Sequence, residues 1–175
     1  MSTLPLPAVS YRCLRVWQRN CDVFLRLWKA ELAFILAEPL VILLAMGYGL
    51  GSLVQPGDPR AYLEFLGPGI LAAYAMYAAV FECTWGTYVR MTMQKTFDAI
   101  IVTPVSLDDV ITGEVLWGAT RALMSALAVL LALVVLGLAT SPLALLAPLA
   151  GLLTGLAFAA LSIVFTSFIQ APSQF

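Results

Sequence analysis

The chain has 175 residues, 62% hydrophobic and 11% charged, with a net charge of −1 and a mean hydropathy of +0.96. A soluble domain of this size could not cover so much apolar surface, so the composition specifies an integral membrane protein. The absence of histidine removes the commonest metal ligand and the usual neutral-pH base, and no basic run suited to a nucleic-acid backbone is present.

Met1–Ala8 holds two prolines and reads as loose. From Val9 to Lys29 a polar line runs through Arg12, Arg15, Arg19, Asp22, Arg26 and Lys29, opposite Cys13, Trp17, Phe24, Leu25 and Trp28. That pattern predicts an amphipathic helix lying in the membrane interface, within an N-terminal cytoplasmic segment 1–31. The alternative is a soluble helix packed on a partner protein. Basic residues interleaved with aromatics, and a first long apolar run near residue 32, do not read as a cleavable signal peptide.

Four spans of about 20 residues are predicted in a transmembrane domain 32–175, at 32–53, 65–89, 115–138 and 143–168. The first connection carries Gln55-Pro-Gly-Asp-Pro59 and the third is a minimal turn around Thr140-Ser-Pro142. Five Lys or Arg precede span one, only Arg60 lies in the first loop, and Arg90 and Lys95 lie in the second. The positive-inside rule therefore places the N-terminus and the second connection in the cytoplasm.

Within that connection, Phe97, Ile100 and Ile101 sit at helical spacing beside Lys95 and Asp98, predicting a short amphipathic helix. Thr103-Pro104 stops it, because the residue before a proline is pushed out of the α region. Ser106-Leu-Asp-Asp109 then reads as a capping box. A helix from Ser106 to Leu138 would be about 48 Å long against about 30 Å of hydrocarbon, so its first turns should project from the membrane.

No catalytic constellation is visible and no metal site is expected: Cys13, Cys21 and Cys83 lack ligand spacing. Lys95-Thr96 lacks the preceding glycine of a phosphate-binding loop, so any ATP and Mg would be bound by another chain. Glu38, Glu82 and Arg121 all fall about 9–12 Å inside the same side of the bilayer. An unpaired charge there is costly, so Arg121 is expected to pair with Glu82, Glu38 or both, unless it snorkels to the interface. Tyr74, Tyr77, Phe81, Trp85 and Tyr88 form an aromatic row on span two. The row suits a substrate path, since aromatic faces stack on sugar rings, but equally suits lipid-facing or helix-packing aromatics. Gly47/Gly51 and Gly151/Gly155 are GxxxG pairs that allow close helix approach, more readily within the chain than across a dimer.

Phe65-Leu-Gly-Pro-Gly-Ile-Leu, Phe81-Glu-Cys-Thr-Trp85, Arg90-Met, Lys95-Thr-Phe-Asp-Ala99, Thr103-Pro-Val-Ser-Leu-Asp-Asp109 and Gly113-Glu-Val-Leu-Trp117 together resemble ABC-2-type transporter permeases. The strongest likeness is to the nodulation-factor (lipo-oligosaccharide) exporter permeases; Glu38-Pro39 and Gly47–Gly51 fit it as well. The resemblance implies an all-α half-transporter of the bacterial inner membrane that forms a homodimer, or a heterodimer with a related permease, and pairs with a cytoplasmic ABC ATPase. It implies that Thr96–Pro104 is the coupling helix seated in that ATPase, with Lys95, Thr96, Phe97, Asp98, Ile100, Ile101, Thr103 and Pro104 as coupling residues. Phe97→Ala or Asp98→Lys is then expected to abolish co-purification with the ATPase. Such permeases have six spans, and with four predicted here the chain reads as C-terminally truncated. Two further readings stay open: an inactive fragment or structural membrane subunit, and an ion-coupled transporter using Glu38, Glu82 and Arg121 as a proton relay.

Overall fold

A computed structural model describes residues 9–54, 59–139 and 141–168. The proline-bearing N-terminus, most of the Gln55–Pro59 turn, Thr140 and the last seven residues lie outside them. The described residues are mostly helical, without a strand, and four helices are long and apolar enough to cross a membrane: Trp28–Gly47, Arg60–Met93, Leu107–Val135 and Pro142–Ser167. The chain is an all-α multi-pass membrane protein.

Helix α1 (Cys13–Arg26) breaks at Leu27, whose φ of −110° and ψ of 12° leave the helical region, and α2 (Trp28–Leu44) follows at once. Span one therefore begins about a turn before residue 32. It passes through a π-helical turn, Ala45–Leu50, into the short α3 (Gly51–Val54). Helix α4 (Pro59–Phe81) continues through two further π-helical segments, Glu82–Gly86 and Val89–Met93, so span two extends past both limits of 65–89. Beside the first of these segments the Thr166 hydroxyl lies 3.0 Å from the Cys83 carbonyl oxygen and 2.8 Å from that of Ser162 in its own helix, so its one hydrogen is shared between them.

Lys95 (φ 53°) occupies the left-handed region, which turns the chain sharply into α5 (Thr96–Ile101). Helix α6 (Leu107–Val135) starts at the expected capping box: Ser106 Oγ accepts from Asp109 N at 3.1 Å, and Asp109 Oδ2 accepts from Ser106 N at 3.3 Å. It ends before residue 138 because Gly137 (φ 68°) closes it, with Leu138 N donating to Leu133 O at 2.8 Å. At 29 residues it is about 43 Å long, still longer than the hydrocarbon. A 3₁₀ turn, Pro142–Leu146, leads into α7 (Ala147–Ser167).

Helix α6 is the centre, packing on α7, α4, α1 and α2. Small residues allow this: a Cβ on Gly151 would lie 2.8 Å from Ala126, one on Gly155 would strike Ala122, and one on Gly118 would strike Cys83. Between membrane helices, where lipid is as apolar as leucine, such backbone proximity supplies the van der Waals contact that holds the bundle. Gly47 of the first GxxxG pair packs likewise on Leu63 of α4.

Candidate functional site

Helix α1 lies along the first half of α6. Its register is set by Gly113, where a Cβ would stand 2.7 Å from Val16 and 2.8 Å from the Cys13 carbonyl. Ser10 donates from N (2.6 Å) and Oγ (3.0 Å) to Asp109, Trp17 Nε1 donates to Thr120 (2.9 Å), and Phe24 meets Trp117 edge-on at 5.9 Å. The contact face of α1 is thus covered by the chain's own α6, while Leu14, Val23 and Leu25 of α1, and Trp28 at the start of α2, stay exposed.

Where α1, α2, the π-helical part of span two and α6 meet lies an ion-pair cluster, buried except at Glu31. Arg90 reaches Glu82 at 2.8 Å and Glu114 at 2.5 Å. Glu114, only 1% exposed, also accepts from Asn20 (3.1 Å) and Thr87 (3.3 Å). Arg121 reaches Glu31 at 2.9 Å and Glu82 at 3.4 Å, and its guanidinium lies 5.3 Å from the Phe24 ring centre. Glu82 therefore bridges two arginines. Gly86 permits this, because a Cβ there would stand 2.7 Å from Glu82 Oε1 and 3.3 Å from Arg90 Nη1. Neutralising partners of this kind make charges tolerable at membrane depth. On the rim of the cluster, burial and then the Arg90 charge pull the Arg19 guanidinium below its ordinary pKa, with Glu114 opposing. Burial and then Asp22 push the Cys21 thiol up, which disfavours the reactive thiolate.

Of the expected charges, Arg121 and Glu82 are brought together, but Glu38 is not their partner. It is exposed on α2, and Glu31 takes the place next to Arg121. The reason is the early start of α2: Glu31 sits in its first turn, whereas Glu38 lies seven residues, about 10 Å, further along. Arg90 and Glu114 were not foreseen. The signal was spacing: Glu82 and Arg90 are eight residues apart and Glu114 and Arg121 seven, each about two helical turns.

Two grooves share Glu31, Glu82 and Arg121. One, of about 360 Å³, is lined by Arg19, Arg90, Trp85 and Trp117. The other, of about 350 Å³, is lined by Phe34, Glu38, Tyr74, Tyr77 and Phe81. Tyr77 stacks on Phe81 at 6.0 Å and Trp85 on Tyr88 at 6.2 Å, but Tyr88 is buried, so the exposed aromatic row ends at Trp85.

In the coupling segment the apolar positions divide between two faces. Phe97 is 8% exposed and packs with Val16 and Val110, with Ile100 beside them, so these two side chains face inward. Lys95, Asp98, Ile101, Val102, Thr103 and Pro104 are exposed, Val102 at 86%, and Thr96 is half-buried. Arg12 Nη1 donates to the Pro104 carbonyl and ties the end of this segment to α1. Among the described residues no group of His, Cys, Asp or Glu could hold a metal ion.

A family model described as ABC-2 type transporter matches residues 11–175. Nodulation protein J of Rhizobium leguminosarum bv. viciae is 39% identical over 177 residues, covering 99% of this chain and 66% of that protein. The proteins of the same name from Rhizobium meliloti and Sinorhizobium fredii are 37% and 35% identical, over 96% and 93% of this chain and 63% and 62% of their own lengths. The chain thus spans somewhat less than two thirds of these relatives. No solved structure matches it. Four apolar spans around a small-residue seam, and a family match over nearly the whole length, agree: the chain belongs to the ABC-2 type transporter family.

Proposed function

We propose that the chain is the membrane-spanning permease subunit of an ATP-driven exporter that moves a glycolipid, lipo-oligosaccharide or similar amphiphile out of the cytoplasm. A separate cytoplasmic ABC ATPase binds ATP and Mg, and the permease works as a homodimer or with a related permease in the bacterial inner membrane, N-terminus inside. Family membership and the nodulation proteins it resembles support this reading, together with the charge asymmetry of the loops.

The observation that carries it is the mounting of α5. Phe97 anchors the helix on α1 and α6, and the apolar tip Ile101-Val102 is left uncovered. A partner seated on that tip pushes directly on α6, which continues into the membrane as one helix. ATP-driven closure of the ATPase would reach the spans by that route. The test is co-purification of the chain with its ATPase. Val102→Glu and Ile101→Glu should remove it while thermal stability stays unchanged. Phe97→Ala should instead lower stability by about 3–5 kcal/mol, the usual cost of emptying a buried phenylalanine site. Retained co-purification in the glutamate variants would overturn the assignment of this tip.

A further inference from the structure

The two grooves meet at one guanidinium, and its two anchors are unequal. Glu82 is 15% exposed and also held by Arg90, whereas Glu31 is 37% exposed and stands on α2 just beyond the break at Leu27. Arg121 Nη1 is buried without a hydrogen-bond partner among the described residues, so the arginine keeps donor capacity in reserve. The charged groove is lined by Arg19, Arg90 and Arg121 and by Glu31 and Glu82, with Trp85 and Trp117 on its walls; Arg90 is neutralised from behind by Glu114, which leaves Arg121, beside the more exposed Glu31, to meet an incoming head. The adjoining groove offers the faces of Phe34, Tyr77 and Phe81.

We propose that Arg121 is the specificity-determining residue of a two-part site for a single-chain amphiphile with an oxyanion head. The head displaces the Glu31 carboxylate from Arg121, and the apolar chain lies along Tyr77 and Phe81. Glu82 stays in place as the fixed anchor, so the Arg121–Glu31 pair is a latch between the grooves that an incoming oxyanion opens. The proposal deepens the export reading and rests on it for the meaning of the path. Binding itself is measured on the chain alone, so absence of ATP-driven transport would not be confused with absence of the site.

The experiment places the full chain in phosphatidylcholine nanodiscs and titrates octyl sulfate, octyl glucoside and octyltrimethylammonium below their micellar concentrations, reading tryptophan fluorescence. Octyl sulfate should bind saturably and about tenfold tighter than the ammonium compound, as charge-assisted pairing with arginine requires. Arg121→Gln should weaken it about tenfold, Arg121→Lys less, because lysine keeps the charge but not the fork. Glu31→Gln should tighten it several-fold by removing the internal competitor, a gain that a merely structural role for Glu31 would not produce. If Arg121→Gln does not fold, the lysine and Glu31→Gln variants still decide. Equal binding of all three heads, or weakening in Glu31→Gln, would overturn the proposal. Competition by phosphatidylglycerol in the disc would identify the occupant as a bilayer lipid; its absence would reserve the site for an exported amphiphile.

Discussion

Glu114 is the residue whose removal should cost the most. Its side chain is 1% exposed and neutralises Arg90 at 2.5 Å while accepting from Asn20 and Thr87. Glu114→Ala leaves Arg90 with Glu82, which is already shared with Arg121, and strands the Asn20 amide in a buried site. Removing one member of a buried ion pair costs about 3–5 kcal/mol, chiefly because the remaining charge stays desolvated. Glu114→Gln keeps the shape but leaves one acceptor oxygen where Asn20, Thr87 and Arg90 now donate to two, so it should lose at least about 1.5–3 kcal/mol, the worth of a bond to a charged group. Equilibrium unfolding of the reconstituted chain by a denaturing detergent measures both. A cycle with Asn20→Ala should show coupling of at least about 0.5 kcal/mol, since the two side chains touch. An Ala variant within about 1 kcal/mol of the parent, or strictly additive cycles, would refute the view that this cluster clamps α1 to the spans.

Two further outcomes concern the same clamp. Gly113→Leu forces a side chain into the space held by Val16 and the Cys13 carbonyl, and should lift α1 off α6 at about 1–3 kcal/mol; faster amide exchange confined to α1 reports it. Asp109→Ala removes the capping box and both bonds to Ser10, so it should cost more than the roughly 1 kcal/mol of an ordinary cap and free the residues around Ser10 to proteolysis.

Features that depend on few neighbouring residues were legible in the sequence. The four spans follow from composition, because every polar group in hydrocarbon must be satisfied within its own helix. The Ser106 cap and the short helix after Lys95 depend on residues three or four apart. That Gly151 and Gly155 pack within the chain was also expected, from the need of small residues for close helix approach.

Tertiary structure decided which faces met. Phe97, Ile100 and Ile101 look alike as a periodic apolar set, but packing against Val16 of α1 and Val110 of α6 buries Phe97, partly covers Ile100 and leaves Ile101 with Val102 outside. Arg121 had two glutamates within reach by depth. The break at Leu27 sets the level of α2, bringing Glu31 to it and leaving Glu38 two turns away. Arg90 reads as a loop residue that fixes orientation, yet the π-helical turns carry span two past it into the cluster. Sequence period reports the face a residue occupies on its own helix. The rotation and height at which that helix is set against its neighbours depend on side chains about a hundred residues apart, such as Ser10 with Asp109 and Trp17 with Thr120.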